Sequence, residues 1–457
     1  MDNLKNKAQS CARIQKIEIR KLFNMFDYDI EIDNSKDVSV LIAPNGCGKT
    51  TIFNFISFIL NPTGAAFAKI CTVPFERFAL TFSDGKTVIM QRKAREHIKG
   101  NPLANQVWAQ KGRERLFGGN VDIVVYEGLS NTLLYSTENI QGDRFRRLAL
   151  DEGSPLNDLK SWFARSFEER ERGLISDKYV NLGLLQAGCR FITANRLQDI
   201  KVTQPLEEAP YSYAHMPPHA HTINPIDRVK DKINESVSKA TKAYIARTDE
   251  ARDKLLQRYL DDNIPKYSDE EFYEEWKNYN NLLERYKDIG FVESTIVDGA
   301  DGAFIEKLYE NKKAFLKVYL KEFSDAISVF DEIYPKLSLF AMILNKRNET
   351  TKKIINFKGG ELNITCNGEK IPLECLSSGE KNDIIMFYEL IFNCKQGDIV
   401  LIDEPEISLH ISWQEEYIDR LLEICKMNSL QAIIATHSPN IINDHTDLIA
   451  RSNMYYV

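Results

Sequence analysis

The 457-residue sequence lacks several features that would place it in familiar classes of protein. No apolar run approaches the roughly 18 residues that a membrane-spanning helix needs, and the N-terminus has no apolar signal region. Basic residues do not outnumber acidic ones: the net charge of −7 argues against broad binding to nucleic acid. No two of the eight cysteines have C-x-x-C spacing, so they indicate reduced thiols. We therefore expect a cytoplasmic protein without a membrane partner.

A phosphate-binding loop is the most informative feature that is present. The segment Ala43-Pro-Asn-Gly-Cys-Gly-Lys-Thr-Thr51 follows an apolar run, residues 38–42, and precedes a helical one. Gly46 and Gly48 let successive backbone N–H groups turn toward phosphate oxygens, and the helix N-terminus adds its dipole. Lys49 would reach the β- and γ-phosphates, and the Thr50 hydroxyl can bind Mg²⁺. The predicted ATP-binding residues are Pro44, Asn45, Gly46, Cys47, Gly48, Lys49, Thr50 and Thr51.

Two further apolar runs end in residues that suit phosphate chemistry. The run 399–402 leads into Asp403 and Glu404, at the strand end where α/β sheets place their ligands. Asp403 would hold Mg²⁺ together with Thr50, and the Glu404 carboxylate can polarise an attacking water. The run 432–435 leads into His437, which could hydrogen-bond a γ-phosphate and orient water. We predict Glu404 and His437 as the catalytic residues.

A third segment carries a resemblance to a known family. Ser377, Ser378, Gly379 and Glu380 stand before the helical run 382–392 and resemble the signature motif of ABC-type ATPases. The order of phosphate loop, signature, Asp-Glu and Thr-His-Ser is also that family's order. The resemblance implies that the signature contacts the γ-phosphate of ATP bound to a second subunit, so that ATP joins two heads.

The resemblance also predicts the fold. We expect an α/β protein with an ABC-type ATPase head, in which a mixed-sheet P-loop core and an antiparallel β lobe are interrupted by an α-helical insertion. The predicted domains are residues 1–224, the N-terminal part of the head; 225–353, the insertion; and 354–457, the C-terminal part of the head. A capping box at Ser268–Glu271 opens one inserted helix, and residues 304–333 would form another that closes near Pro335. The inserted helices either pack against the head or form an arm or an oligomer contact.

Within ABC-type ATPases, the sequence is similar to the RecF/OLD/SMC-like class, and most similar to ATPase subunits of anti-phage systems such as PARIS and Septu. OLD-type and Gabija-type proteins carry a nuclease domain after the head, whereas only 20 residues follow His437 here. The resemblance implies a homo-oligomeric ATP- and Mg²⁺-dependent scaffold that controls a separate effector, such as a nuclease, in response to a phage protein. The alternative is a RecF-like repair ATPase that binds DNA. A transporter subunit fits less well, because transporter ATPase subunits keep these motifs much closer together than this sequence does.

Three smaller assignments stay open. The adenine base could stack on aromatic residues ahead of the phosphate loop, although we favour core packing at strand spacing for them: Phe23, Phe26 and Tyr28. The glutamine that links the two lobes in this class could be either of two residues: Gln91 or Gln141. Three histidines in the proline-rich segment 203–222 are either metal ligands or ordinary polar loop residues: His215, His219 and His221.

Overall fold

The computed structural model describes residues 12–61, 70, 73–92, 121–127, 132–136, 188–193, 224–260, 264–288, 291, 302–349, 351–409 and 411–456. The chain forms two compact units. The first comprises Met1–Ala194 with Asn393–Val457, and the second comprises Asn195–Phe392.

The strands of the described chain, β1 to β14 in order, are Ile14–Leu22, Phe26–Glu31, Val38–Ile42, Arg77–Phe82, Lys86–Arg92, Val121–Glu127, Thr132–Ser136, Cys189–Ile192, Lys353–Asn356, Asn363–Cys366, Glu369–Lys370, Ile399–Asp403, Gln431–Thr436 and Arg451–Tyr456. The α-helices, α1 to α8, are Lys49–Leu60, Pro225–Leu260, Asp269–Asp288, Gly302–Ile327, Tyr334–Arg347, Ser378–Tyr388, Ile411–Asn428 and Pro439–Ile442. Seven strands form an antiparallel sheet in the order β14-β2-β1-β4-β5-β6-β7.

A parallel four-stranded sheet, β3-β13-β12-β8, forms the other layer of the first unit. Every residue of β12 and β13 is buried, as expected of parallel strands covered on both faces. The two sheets are also tied by a polar contact, since buried Gln431 accepts from the Ile14 backbone N–H at 2.7 Å and donates to its carbonyl at 2.9 Å. Because β3, β12 and β13 run in one direction, their carboxyl ends meet at one edge of the sheet.

Helix α1 packs between these sheets and so fixes the loop that precedes it. Its Phe55 stacks on Phe78 of β4 with ring centroids 4.8 Å apart, and Phe53 meets Phe191 of β8 edge-on at 5.8 Å. Both α1 rings are fully buried. Burying aromatic side chains of this size stabilises the fold by a few kcal/mol each, about 2–3 kcal/mol.

The second unit has a helical core that is rich in aromatic residues. Phe272 of α3 stacks on Tyr309 of α4 at 4.1 Å, and Tyr286 meets Phe330 at 5.2 Å. The capping box predicted at Ser268 and Glu271 is confirmed, with reciprocal hydrogen bonds of 2.7 and 3.1 Å at the start of α3. The predicted helix 304–333 is wrong at its end: α4 stops at Ile327, and Pro335 lies in the first turn of α5, where proline needs no N–H donor.

The small sheet β11-β10-β9 precedes α6 in the second unit. Asn367 and Gly368 both have positive φ, 53° and 88°, and form the tight turn between β10 and β11. The last strand of this sheet is Glu369–Lys370, and it ends before Pro372. Pro372 has no N–H to continue a strand ladder, and Leu373–Cys375 form a 3-10 turn instead.

The predicted α/β class, with parallel and antiparallel sheets and a phosphate loop between a strand and a helix, is confirmed. The second compact unit contains β9–β11 and α6 as well as the helices α2 to α5. In the part of the chain that the structure describes, no helix is both long and apolar enough to cross a membrane. Gln141, the segment 203–222 and its three histidines lie outside the described residues.

Candidate functional site

The carboxyl ends of three parallel strands bring the predicted motifs of the first unit together. Asp403 of β12 lies beside Ala435 of β13, and Thr436 lies beside Ile42 of β3. The phosphate loop leaves β3 at this edge and enters α1. Residues more than 350 positions apart in the sequence therefore meet here, as the sequence analysis expected for the first unit's motifs.

The phosphate loop has the backbone that its glycines allow. Gly46 and Gly48 have φ of 84° and 88°, a conformation that favours glycine. A Cβ on Gly48 would lie 2.7 Å from the Leu22 side chain and 3.0 Å from the Phe23 ring, so a larger residue would displace the β1–β2 turn. Pro44, Asn45 and Gly46 are exposed, while Cys47 and Lys49 are buried.

The aromatic residues ahead of the loop support it from within the core. Phe26 and Tyr28 are 7% and 3% exposed, and the Tyr28 hydroxyl donates to the Cys47 carbonyl at 2.5 Å. Burial of these two rings favours core packing over stacking on a base. Phe23 is partly buried against Gly48, so it is the remaining candidate for an adenine contact among the three.

The Lys49 ammonium is surrounded by oxygen atoms. Its Nζ donates to the Ala43 carbonyl at 2.7 Å and the Pro44 carbonyl at 3.2 Å, and lies 3.1 Å from Glu404 Oε1. The side chain is only 7% exposed. A buried ammonium needs such partners, and a nucleotide phosphate would supply oxygens of the same kind.

Thr50 and Asp403 offer oxygen ligands to a divalent cation. The Thr50 hydroxyl donates to Asp403 Oδ2 at 2.5 Å. Asp403 Oδ1 is buried and has no hydrogen-bond partner among the described residues. Burial raises the pKa of the Asp403 carboxyl; Glu404 and Glu406 add to this rise, while Thr50 and Lys49 oppose it. A cation would relieve this cost, and an oxygen set of hydroxyl and carboxylate fits Mg²⁺.

Glu404 has an unusual backbone and a confined side chain. Its φ of 47° and ψ of 58° lie in the left-handed region, which costs a non-glycine residue about 1–3 kcal/mol. The Glu404 N–H donates to the Ala435 carbonyl at 2.8 Å, which holds the strained turn onto β13. The carboxylate lies between two groups, with Oε1 near Lys49 and Oε2 hydrogen-bonded to Nδ1 of His437. It is thus oriented for a role as a base.

Glu406 is a site residue to which the sequence analysis gave no role. Its side chain is 7% exposed, and Oε1 accepts from the Thr436 hydroxyl at 2.5 Å and the His437 backbone N–H at 3.1 Å. The same oxygen lies 3.2 Å from Nδ1 of His437. The half-exposed His437 ring therefore has two carboxylates at one nitrogen. No local sequence pattern marks Glu406, because its partners come from another strand.

The ligand atoms of three residues are also near enough to hold a metal ion: Glu404, Glu406 and His437, whose atoms lie within 4.8 Å of one another. Lys49 lies beside Glu404 and already offsets one of the two carboxylate charges. The arrangement is therefore better matched to proton transfer and water orientation than to a second cation.

The predicted signature residues belong to the second unit, at the start of α6. Ser377 is the N-cap: its backbone N–H donates to Glu380 Oε2 at 2.8 Å, and its Oγ accepts from the Glu380 N–H at 3.2 Å. Lys353 lies 2.7 Å from the Glu380 carboxylate. Burial alone would raise the pKa of Glu380, but the hydrogen bonds from Lys353 and Ser377 outweigh it and leave that pKa lowered.

The signature segment keeps its donors in solvent. Ser377 and Ser378 are exposed and Gly379 is half-buried. Because the Ser377 oxygen accepts one hydrogen bond within the box, its hydroxyl hydrogen remains able to donate. Deeper in α6, the fully buried Asp383 pairs with Arg347 of α5. The segment can thus bind an anion, but it carries no group placed as a base.

Comparison with known proteins gives the family. The AAA ATPase domain family matches residues 13–442, and the chain belongs to this family. Among solved structures, the chain is similar to the Smc head domain with an extended coiled coil, bound to the C-terminal domain of ScpA, from Pyrococcus furiosus. That likeness has 12% identity and a TM-score of 0.37 over 97% of this chain and 96% of the other, which is too low to support a statement about function.

Proposed function

We propose that this AAA ATPase-domain protein hydrolyses ATP to ADP and phosphate with Mg²⁺, at the site on the first unit. The observation that carries the proposal is the meeting of Lys49 with Glu404 and of Thr50 with Asp403, across more than 350 residues of sequence. A phosphate loop, a carboxylate at the end of a parallel strand in the same sheet and a confined second carboxylate are the groups that phosphoryl transfer requires.

Each residue has a role that follows from its position. Lys49 and the N–H groups of the phosphate loop would bind the β- and γ-phosphates. Thr50 and Asp403 would hold Mg²⁺, which neutralises charge on the phosphates. Glu404 would take a proton from the water that attacks the γ-phosphorus while the bond to ADP breaks. His437, hydrogen-bonded to Glu404, would orient that water.

Phosphate release by the purified chain tests this assignment. We expect turnover with ATP and Mg²⁺ that EDTA abolishes, at a slow rate below about 10 s⁻¹, the middle of the usual enzyme range. Glu423 of α7 offers a control, since it is an exposed carboxylate paired with Arg420, and Glu423→Gln should leave the rate unchanged. Turnover that persists in EDTA, or that survives Glu404→Gln, would contradict the proposal.

We further propose that the ATPase acts as a switch in the cytoplasm: two or more copies assemble through ATP, and the assembly controls a separate effector chain in anti-phage defence. The support is the resemblance of the motifs around Ser377 and Asp403 to defence ATPases, together with an exposed anion-binding helix start at Ser377. Coupling of roughly 1–3 kcal/mol between ATP and effector would change effector affinity by about 5–150-fold.

Co-expression with the neighbouring genes tests this second step. We expect a defined neighbour, such as a nuclease, to co-purify with wild type and with Glu404→Gln, and only the wild-type pair to protect cells from phage. Turnover by the chain alone that DNA strongly stimulates would favour a RecF-like repair ATPase instead. Protection by the chain without any partner would also contradict control of a separate effector.

A further inference from the structure

We propose that Glu406 is a positioning residue for ATP hydrolysis, which acts by fixing the His437 ring with its hydrogen on Nδ1. The inference rests on the proposed ATPase function and adds a residue to it. Glu406 lies two positions after Glu404 on the 3-10 turn Pro405–Ser408. The turn is closed by a hydrogen bond of 3.0 Å from the Leu409 N–H to the Glu406 carbonyl.

The hydrogen bonds around Thr436 show that Glu406 is an acceptor. The Thr436 hydroxyl oxygen accepts from the Ser438 backbone N–H at 3.0 Å, so its single hydrogen is directed to Glu406 Oε1 at 2.5 Å. The same oxygen accepts the His437 backbone N–H at 3.1 Å. Two donors on one oxygen suit an ionised carboxylate.

Glu406 and Glu404 together decide which nitrogen of the His437 ring carries its hydrogen. Nδ1 lies 3.2 Å from Glu406 Oε1 and is hydrogen-bonded to Glu404 Oε2. Both oxygens are acceptors when ionised, so Nδ1 must be the donor. Nε2 is then the ring nitrogen left for water or nucleotide. A partner that fixes the tautomer of a catalytic histidine is a recognised way to hold it in working geometry.

The charge of Glu406 serves more than packing. A carboxylate that is 7% exposed is costly unless it is compensated. Among the described residues, the His437 ring is the one group within ion-pair distance of Glu406 that can carry positive charge. A neutral glutamine could accept the Thr436 and His437 N–H bonds equally well. The feature that glutamate supplies at position 406, and glutamine would not, is therefore a second charged acceptor for Nδ1 beside Glu404.

The variant Glu406→Gln tests the proposal kinetically. We expect kcat to fall by about 10- to 100-fold, the scale of a lost hydrogen bond to a charged group, while KM for ATP changes by less than about threefold. In a His437→Ala background, the same change should lower kcat by less than about twofold, because the residue through which Glu406 acts is gone. An unchanged kcat, or an equal loss in both backgrounds, would overturn the proposal.

A second measurement does not depend on activity. Long-range ¹H–¹⁵N spectra of protein labelled at its seven histidines, assigned with His437→Ala, report which ring nitrogen carries the hydrogen. We expect Nδ1–H in wild type and a gain of Nε2–H in Glu406→Gln. Nε2–H as the main form in wild type would refute the role of Glu406. If wild type hydrolyses no ATP, the proposed function fails, whereas the spectra still decide the role of Glu406.

Discussion

The two regions that we predict to contact phosphate differ in how far their polar groups are buried. At the first unit's site, the side chains of Lys49, Asp403 and Glu406 are buried, and each contacts a polar side chain of another residue of the site. At the signature segment, Ser377 and Ser378 are exposed, and the Ser377 side chain takes part in the capping box. Burial fixes the groups that we propose to carry out the chemistry, while exposure leaves the helix start able to contact an anion. We therefore expect the first region to perform hydrolysis and the second only to assist it.

Removal of the proposed base tests the first region most strongly. Glu404→Gln should lower kcat by about 10²- to 10⁴-fold, because an amide cannot take a proton from water. ATP affinity should stay within a few-fold of wild type, since Lys49 and the phosphate loop remain. Single-turnover phosphate release and equilibrium binding of a fluorescent ATP analogue measure the two effects. Normal turnover in this variant would show that the chemistry lies elsewhere.

Removal of the Lys49 ammonium should prevent the binding of ATP, and not only its turnover. Lys49→Ala deletes the ammonium proposed to pair with the β- and γ-phosphates, and truncation of one partner of a buried charge pair in a complex costs about 2–5 kcal/mol, so ATP affinity should fall by about 30-fold or more. Lys86→Ala is the control, because Lys86 pairs with Asp84 across a turn outside the site. Equal ATP affinity in Lys49→Ala and wild type would rule out the nucleotide site.

A matched pair of cap variants tests the second region. Ser377→Arg should keep ATP binding and lower hydrolysis by about 10- to 100-fold, as expected if the helix start stabilises phosphate charge on a second copy. Ser268→Arg removes the same type of capping box from α3 and should cost about 1 kcal/mol of stability without loss of hydrolysis.

Mixing variants then shows whether sites are shared between copies. Ser377→Arg and Lys49→Ala should each be inactive alone, and their mixture should regain at most one active site per pair. If isolated monomers of Ser377→Arg hydrolyse ATP normally, the shared-site interpretation is wrong.

The smallest expected effects are changes in stability with pH, and these have opposite signs in the two regions. The pKa of Asp403 is raised, so the folded state binds protons more readily, and wild type loses stability as pH rises from the ordinary aspartate pKa through the raised value. Asp403→Asn should therefore be the more stable protein at neutral pH, by about 1 kcal/mol, and equal wild type in acid.

The stability that Glu380 contributes should have the opposite dependence on pH. Its pKa is lowered, so its contribution is present above the ordinary glutamate pKa and lost as pH falls through the lowered value. Glu380→Gln should be less stable than wild type at neutral pH, by about 1 kcal/mol or less, with the difference vanishing in acid. Calorimetry across pH in EDTA measures both variants. The same sign of change in both would contradict the contrast between the regions.

Sequence patterns predicted the features that depend on neighbouring residues. The spacing of Gly46, Gly48 and Lys49 indicated the phosphate loop, and the placement of Asp403 after an apolar run put it at a strand end. The contact of Thr50 with Asp403 then follows from parallel strands. The left-handed backbone of Glu404 and the bonds from Glu406 to Thr436 and His437 were not predictable. They depend on how side chains from separate strands pack.

The same limit explains errors in the second unit. The predicted helix 304–333 extends past the end of α4 at Ile327, where the chain enters the 3-10 turn Ser328–Phe330. The pairing of Lys353 with Glu380 joins residues 27 positions apart and has no periodic signal. Local chemistry identified the helix cap residues, whereas their distant partner required the fold.

The hydrogen bonds between Gln431 and Ile14 have a consequence for how the protein is made. They join residues 417 positions apart, and β14 pairs with β2 across a similar span. At a synthesis rate of about 5–20 residues per second, roughly 20–80 s separate the two partners on the ribosome. The first unit cannot close until the last part of the chain has been made. Until then, its N-terminal strands are exposed to chaperones. Nascent chains that lack the last 60 residues should therefore bind no ATP.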